Sequence, residues 1–195
     1  MLVDKQIWEL IHEQKLIEIP EEYRDYNILT EDTPISRGVS SCGYDLTLAE
    51  KFAFFNPIGI ADPLRFDTRS TKIEQVTSFD PIIIPGNGFT LAHSVEVVNI
   101  PEGVCATAVG KSTYARCGLI VNVTPIEPGF SGQVTLELHN ASPKPVKVYP
   151  LMGICQLQFH RLEEYPMHSY KNKMDGKPGK YQYQMGITFP KGAAL

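Results

Sequence analysis

The chain has 195 residues, of which 43% are hydrophobic and 21% are charged, a balance that excludes an intrinsically disordered protein. This length lies near the typical size of one domain, about 150 residues, so a single domain over residues 1–195 is predicted. The formal net charge of -4 excludes a protein whose whole surface binds long nucleic acid. The 15 glycines and 15 prolines favour short strands joined by many turns.

The charge is unevenly distributed along the chain. Residues 171–195 contain five lysines and one aspartate, a net charge of +4, so the preceding 170 residues carry -8. Residues 171–180 are rich in lysine, glycine and proline, which predicts a mobile basic arm on an acidic domain.

The sequence favours a reducing, cytoplasmic compartment. Its first residues, MLVDKQ, lack the basic and then apolar order of a signal peptide, and no run reaches the roughly 18 apolar residues of a membrane span. The four cysteines form no C-x-x-C pair and have no histidine at ligand spacing. We therefore expect four small buried thiols, without a disulfide framework or a zinc site.

The first predicted element is a helix over residues 5–14. Asp4 is placed to cap its N-terminus, and Val3 is placed to contact Trp8 as a hydrophobic staple. The apolar stripe expected to face the core consists of Ile7, Leu10 and Ile11.

From residue 44 onward, short apolar or alternating runs are separated by proline, glycine and asparagine. This texture predicts a mainly β fold, either a barrel or a sandwich. The predicted strands cover residues 44–48, 51–55, 81–84, 89–92, 104–109, 119–123, 133–138, 146–149 and 154–159.

A candidate anion site follows one of these strands. The segment GKST at residues 110–113 ends like a Walker A motif, but that motif needs a glycine where the chain has Cys105, and a helix where apolar strand follows. The P-loop interpretation is therefore rejected. The turn still offers backbone N–H groups, two hydroxyl groups and the Lys111 ammonium, with Arg116 nearby. A solvated loop is the structural alternative.

A candidate general base lies in the strand over residues 134–139. Its two faces are expected to carry Val134, Leu136 and Leu138 on one side and Thr135, Glu137 and His139 on the other. A glutamate on the polar face of a strand is ordinarily solvated. Glu137 becomes a candidate base if a loop or a subunit covers that face, because desolvation raises the pKa of a carboxylate toward neutrality.

The turn before this strand is a second candidate feature. The segment EPGFSG at residues 127–132 either forms a plain tight connection or places Glu127 and Phe130 at the rim of a pocket. We expect this rim to lie near residues 111–116, because only about fifteen residues of strand and turn separate the two segments.

Four ordered segments carry a family resemblance that covers roughly the whole chain. They are SCGYDL at 41–46, GKSTYARCGLIVNVTP at 110–125, GQVTLE at 132–137 and GKYQYQMGIT at 179–188. In these segments the sequence resembles the dCTP deaminase family, within the dUTPase-like superfamily. The resemblance implies a distorted jelly-roll, a dUTPase-like β-barrel with an N-terminal helix. It also implies a homotrimer with active sites between subunits, closed by residues 171–195 as a basic C-terminal lid.

The resemblance also assigns roles to individual residues. It implies that Glu137 activates the water that attacks C4 of cytosine, acting as base and then as acid. It implies that Ser112 helps to hold this water and that Arg116 lies beside the carboxylate, while the main-chain carbonyl of Pro125 or Thr124 also holds the water. The other positions that it assigns to substrate binding are Lys111, Thr113, Tyr114, Ala115, Glu127, Phe130, Thr135, Leu136, Gln156, Tyr170, Lys180 and Gln184.

The implied reaction is hydrolysis of dCTP to dUTP and ammonia, which would feed the synthesis of dUMP and dTTP. Zinc deaminases need an H-x-E and a P-C-x-x-C motif, and none of the five histidines begins H-x-E. A zinc-independent reaction is therefore expected, with Mg²⁺ bound only through the substrate triphosphate. The implied partners are dCTP, dUTP and, as in some relatives, dTTP as an inhibitor, without a nucleic acid polymer or a membrane.

Departures from related enzymes leave alternatives open. Pyrophosphatase relatives carry an aspartate where this chain has Glu127, which disfavours a simple dUTPase. The alternatives are a bifunctional enzyme that deaminates dCTP and cleaves dUTP, and a non-catalytic nucleotide-binding jelly-roll module. An insert near residues 174–177 leaves open whether Lys177 or Lys180 meets phosphate.

Overall fold

The structure is a computed structural model that describes residues 1–28, 33–56, 58–69 and 71–192. Its helices are α1 (Asp4–Gln14), a 3₁₀ helix (Glu21–Tyr26) and α2 (Ser112–Ala115). The strands within these ranges are β1 (Ile17–Glu18), β2 (Gly38–Ser40), β3 (Gly43–Thr47), β4 (Lys51–Phe55), β5 (Ile73–Thr77), β6 (Ile82–Ile84), β7 (Phe89–Asn99), β8 (Val104–Gly110), β9 (Leu119–Asn122), β10 (Ser131–Asn140), β11 (Val146–Val148) and β12 (Gly153–Arg161). None of the helices in the described ranges is both long enough and apolar enough to cross a membrane.

The strands form two principal antiparallel sheets. The larger has the order β5-β4-β7-β10-β9, with β1 also paired to β7, and the smaller has the order β2-β3-β12-β8. The short pair β11-β6 stands apart from both. One apolar core contains buried side chains of both sheets, among them Phe52, Leu138, Leu46 and Leu157. The predicted mainly β fold with an N-terminal helix is confirmed.

Helix α1 begins one residue earlier than predicted. Val3 is the N-cap, and Asp4 is the first helical residue, where its Oδ1 accepts the N–H of Lys5 at 2.7 Å. Gln6 supplies the capping contact, because its side-chain oxygen accepts the Val3 N–H at 3.1 Å. Val3 is 48% exposed and Leu2 is buried, while the contact expected between Val3 and Trp8 stays a prediction. The stripe of Ile7, Leu10 and Ile11 is buried as expected.

Strand β10 occupies the position that matters most for the site. It lies between β7 and β9, and Glu137 is directly opposite Leu91 on one side and Asn122 on the other. Val134, Leu136 and Leu138 are buried, as the alternation predicts. The face that carries Glu137 is therefore the face of the sheet away from the common core.

Two local predictions fail. A four-residue helix, α2, follows Lys111 where strand was expected, because the chain turns there before β9 begins. The four cysteines are free thiols, but only Cys155 is buried. Cys42 and Cys105 are half-buried and Cys117 is exposed, so small size alone does not place a cysteine in the core.

The C-terminal part lies over the larger sheet. The Tyr183 N–H donates to the carbonyl of Ser131 at 2.7 Å. Within the basic segment, the Lys173 N–H donates to the carbonyl of Lys177 at 2.9 Å, and the Gly179 N–H donates to that of Tyr170 at 2.7 Å. Residues 171–180 thus form hydrogen-bonded turns, and their mobility stays a prediction.

Candidate active site

A cavity of about 530 Å³ lies on the outer face of β10. Thr135 and Glu137 of β10 form one wall, and Leu91 of β7 lies beside them. The segment that follows β9 contributes Thr124 and Pro125 to a second wall. The cavity therefore brings together the carboxylate and the two carbonyl-bearing residues that the resemblance singled out.

Glu137 is half-buried in this cavity and hydrogen-bonded within the sheet. The side-chain amide of Asn122, directly opposite on β9, donates to its Oε2. Leu91, opposite on β7, is 5% exposed and gives the carboxylate an apolar neighbour. A carboxylate held in this way can accept a proton from a water in the cavity.

The second wall is fixed by a pair of main-chain hydrogen bonds. Ile126 and Ala106 exchange N–H to carbonyl bonds in both directions, each 3.0 Å long. Because Ile126 is buried, this bridge ties the turn after β9 to β8 and sets the position of Thr124 and Pro125. Both residues are exposed and line the same cavity as Glu137.

The C-terminal segment covers the same face. Gln184, Thr188 and Pro190 line the cavity. The Thr188 N–H approaches the hydroxyl oxygen of Thr135 at 3.3 Å, two residues from Glu137 along β10. Residues of the same chain thus lie over the face of β10 that carries Glu137.

An aromatic and charged rim closes another side. Phe130 is 8% exposed and meets Tyr170 edge to face, with ring centroids 5.7 Å apart. The Lys173 Nζ lies 2.7 Å from Glu127 Oε2 and 4.7 Å from the centroid of the Tyr170 ring. Glu127, Phe130 and Tyr170 all line the cavity, so the structure places them at a pocket rim.

The GKST segment lies elsewhere in the chain. Thr113, Ala115 and Arg116 line a separate open groove, and Arg116 Nη1 donates to Ser112 Oγ at 3.2 Å. The sequence led us to expect this segment near the rim formed by Glu127 and Phe130. In the structure, however, the residues of this segment do not line the cavity to which that rim belongs. Strand β9 lies between the two segments in the chain. Helix α2 ends before β9 begins, and the cavity-lining residues on the far side of β9 start directly after its last residue.

Lys111 and Gln156 belong to an internal polar cluster. The Lys111 Nζ lies 2.5 Å from Asp45 Oδ2, and only 13% of the lysine side chain is exposed. It also donates to Ser36 Oγ at 2.9 Å. Gln156 donates to the other Asp45 oxygen at 3.1 Å and to Ser40 Oγ at 2.9 Å. Within one chain, both predicted ligands are therefore occupied by protein partners.

Three further predicted residues also have other surroundings. The ring of Tyr114 is buried, its hydroxyl accepts the Tyr149 N–H at 3.1 Å, and burial raises the pKa of that hydroxyl to about 12. The side chain of Leu136 is in the core, and a main-chain contact with substrate stays a prediction. Lys180 is exposed, and its carbonyl accepts the Lys191 Nζ at 2.9 Å.

Several residues of the cavity were missed from the sequence. They are Asn122, Thr188 and an aromatic wall made by Phe55, Phe66 and Phe89. Asn122 could have been found from the β9–β10 register, whereas the aromatic wall depends on a loop whose course carries no sequence signal. In the described ranges, no group of three or more histidine, cysteine, aspartate or glutamate side chains is arranged to hold a metal ion.

Comparisons with known proteins agree with the resemblance. The profile of the dCTP deaminase-like family matches residues 1–162. A protein of Acidobacterium capsulatum named dCTP deaminase is 44% identical over 183 residues, which cover 93% of this chain and 95% of its own. A protein of Dichelobacter nodosus with the same name is 43% identical over 190 residues, covering 96% and 97%.

A solved structure shares the fold. The 2'-deoxycytidine 5'-triphosphate deaminase of Agrobacterium tumefaciens has a TM-score of 0.59 at 19% identity, and the match covers 82% of this chain and 48% of that one. The chain thus spans about half the length of the Agrobacterium chain. With a family profile over most of its residues and relatives at more than 40% identity over nearly its full length, the chain belongs to the dCTP deaminase-like family.

Proposed function

We propose that this protein deaminates dCTP hydrolytically to dUTP and ammonia, with Glu137 as the general base and acid. The observation that carries the proposal is that Glu137 lines one cavity together with Thr124, Pro125 and residues of the C-terminal segment. Two full-length relatives that carry the name dCTP deaminase support the choice of substrate.

The chemistry needs one residue that moves protons in both directions. Glu137 takes a proton from a water, whose oxygen bonds to C4 of cytosine, and passes that proton to N3 of the ring. Glu137 then takes the proton of the new C4 hydroxyl and delivers it to the amino group, which leaves as ammonia while the C4 carbonyl forms. One water is consumed, and no oxidant or reductant is needed. In this proposal the main-chain carbonyl of Thr124 or Pro125, which line the same cavity, accepts the second hydrogen of the attacking water.

The same proposal makes the active site a joint product of subunits in a homotrimer. Arg116 lines a groove apart from the cavity of its own chain, and it donates a hydrogen bond to Ser112, which does not line that cavity either. Both are exposed, so a second copy can present them to the cavity of its neighbour. In this arrangement Lys111 keeps its internal ion pair with Asp45 and orients the α2 turn.

Mg²⁺ enters the proposal through the substrate. It prefers oxygen ligands and retains several waters, so it would bridge the phosphate oxygens of the nucleotide. The exposed guanidinium of Arg116 fits a role in neutralising the remaining phosphate charge, since arginine binds phosphate in a bidentate manner. The lysines of residues 171–192 would add to the attraction for the triphosphate.

The deciding experiment is to incubate the purified protein with dCTP and Mg²⁺ and to separate the products. Formation of dUTP and ammonia supports the proposal. Formation of dUMP and pyrophosphate makes the protein bifunctional, and tight binding of unchanged dCTP makes it a nucleotide-binding module. The role of Glu137 is tested in the same assay with Glu137→Gln. This variant should reduce kcat by at least about a thousandfold while dCTP still binds.

Zinc independence is tested separately. A sample dialysed against a zinc-selective chelator and then supplied with Mg²⁺ should keep its full deamination rate. A loss of activity that zinc restores would show that the nucleophile is bound to the metal and is not a water activated by Glu137 alone.

A further inference from the structure

Asn122 is the immediate partner of the proposed catalytic carboxylate. It is the last residue of β9 and lies directly opposite Glu137 in the antiparallel β9–β10 pair. Its side-chain amide donates to Glu137 Oε2. Within the described part of the chain, it is the only side chain that hydrogen-bonds Glu137.

The direction of this hydrogen bond is fixed by chemistry. An ionised carboxylate can only accept, so Asn122 must present its NH₂ group to Oε2. A bond to one oxygen limits rotation of the carboxylate, and Glu137 lines the same cavity as Thr124 and Pro125. Because asparagine is neutral, it holds the carboxylate without the ion pair that a lysine or an arginine would form.

The position of Asn122 in the chain adds a second link. The residues directly after it, Val123, Thr124 and Pro125, line the same cavity as Glu137. Asn122 thus joins the carboxylate that would deprotonate the water to the segment whose carbonyls would hold it.

We propose that Asn122 is the positioning residue for Glu137, which keeps one carboxylate oxygen aimed at the attacking water. This inference rests on the proposed deamination. Misplacement of a catalytic group by about 1 Å can reduce the rate by about a hundredfold. Loss of Asn122 should therefore act on kcat and leave nucleotide binding intact.

The test compares Asn122→Ala and Asn122→Asp with Ile120→Ala, which changes an exposed side chain two residues earlier on the same face of β9. We expect kcat to fall about 10- to 100-fold in Asn122→Ala, and further in Asn122→Asp, where two carboxylates would face each other. The Kd for dCTP should change by less than about threefold in all three variants, and Ile120→Ala should keep the wild-type kcat.

A measurement without turnover separates this inference from the proposed function. In protein labelled with ¹³C at glutamate carboxyl carbons, the Glu137 resonance is identified by its loss in Glu137→Gln. It should shift in Asn122→Ala and stay in place in Ile120→Ala. A wild-type kcat in Asn122→Ala, or an unmoved resonance, overturns the positioning role. A resonance that shifts in a protein without deaminase activity overturns the proposed function alone.

Discussion

Gln133 and Gln184 bind each other through two hydrogen bonds of opposite direction. The Gln133 N–H donates to the carbonyl of Gln184 at 2.9 Å, and the Gln184 side-chain amide donates to the carbonyl of Gln133 at 2.8 Å. The Gly186 N–H adds a third bond, to the side-chain oxygen of Gln133 at 2.5 Å. The C-terminal segment is thereby attached to β10 four residues before Glu137, so closure of the cavity depends on the backbone of that strand.

Gly132→Ala should detach this segment. A Cβ at position 132 would lie 2.7 Å from the carbonyl oxygen of Gln184 and 3.0 Å from its nitrogen, and φ of +151° adds backbone strain. We expect KM for dCTP to rise about tenfold with a smaller fall in kcat, because the cover contributes mainly to binding. Hydrogen exchange of residues 183–188 should become faster.

The matched control is Gly176→Ala. Its φ of +73° is also positive, but a Cβ there meets nothing within 4 Å. This variant should keep the wild-type KM, which separates the clash with Gln184 from backbone strain.

Removal of residues 171–195 should raise KM further than Gly132→Ala does and slow turnover. An unchanged KM in the truncated protein would show that the segment takes no part in substrate binding.

Lys173 is expected to fasten the basic turn to the cavity rim. Its ion pair with Glu127 joins side chains that are 42% and 47% exposed, and such pairs contribute about 0.2–1 kcal/mol. Lys173→Met should therefore raise KM by only about two- to fivefold, with a smaller effect at high salt. The measurement is KM for dCTP at low and high ionic strength.

Lys177→Met is the control for this variant. The substitution removes the same charge from the same turn. The side chain of Lys177 is exposed, however, and forms none of the ion pairs found in the described residues. If the two variants raise KM equally, general attraction for the triphosphate explains both effects, and the pair with Glu127 has no separate role.

The part of the site that lies on strand β10 could be predicted from the sequence. The alternation over residues 134–139 placed Val134, Leu136 and Leu138 toward the core and Glu137 away from it, because side chains of a strand alternate strictly between faces. Strands of two or three residues, such as β1, contain too few side chains to show that period. The pairing of Ile17 with Val98 is a tertiary contact.

The walls of the site could not be predicted in the same way. Phe189 stacks on Phe66 with ring centroids 5.6 Å apart, and the two residues are far apart in the sequence. Lys111 looked like a free phosphate ligand because its partner, Asp45, lies 66 residues earlier. A local sequence pattern indicates which residues could bind substrate. Contacts between residues that are distant in the sequence decide which of those side chains are already bonded to protein partners.

Mixed oligomers should reveal whether one active site uses two chains. Glu137→Gln and Arg116→Ala are each expected to be nearly inactive. When the two are co-expressed in one cell, some interfaces will combine an intact Glu137 with an intact Arg116 from the neighbour. Activity should then recover to a fraction of the wild-type rate. Inactive mixtures that contain both variants in one oligomer would show that each site uses a single chain.

The last prediction concerns a buried glutamate outside the site. Glu96 on β7 is 0% exposed, and its carboxyl accepts the Thr47 hydroxyl at 2.7 Å and the Tyr44 hydroxyl at 3.3 Å. Burial raises the pKa of Glu96 from 4.5 to about 7, although the hydrogen bonds from Thr47 oppose the shift. At pH 6 the folded protein therefore holds a proton that the unfolded chain has released.

This difference fixes the sign of the pH dependence. Between about pH 4.5 and pH 7 the folded state binds more protons than the unfolded state, so the contribution of Glu96 to stability falls as pH rises and is constant above that window. Over the whole window the loss is about 3 kcal/mol. Urea unfolding between pH 4.5 and 8 should show Glu96→Gln gaining stability relative to wild type by this amount, while Glu74→Gln, an exposed change on β5, follows the wild-type curve. A Glu96→Gln curve parallel to wild type would mean that Glu96 is ionised in the folded protein, and that the hydrogen bonds from Thr47 outweigh its burial.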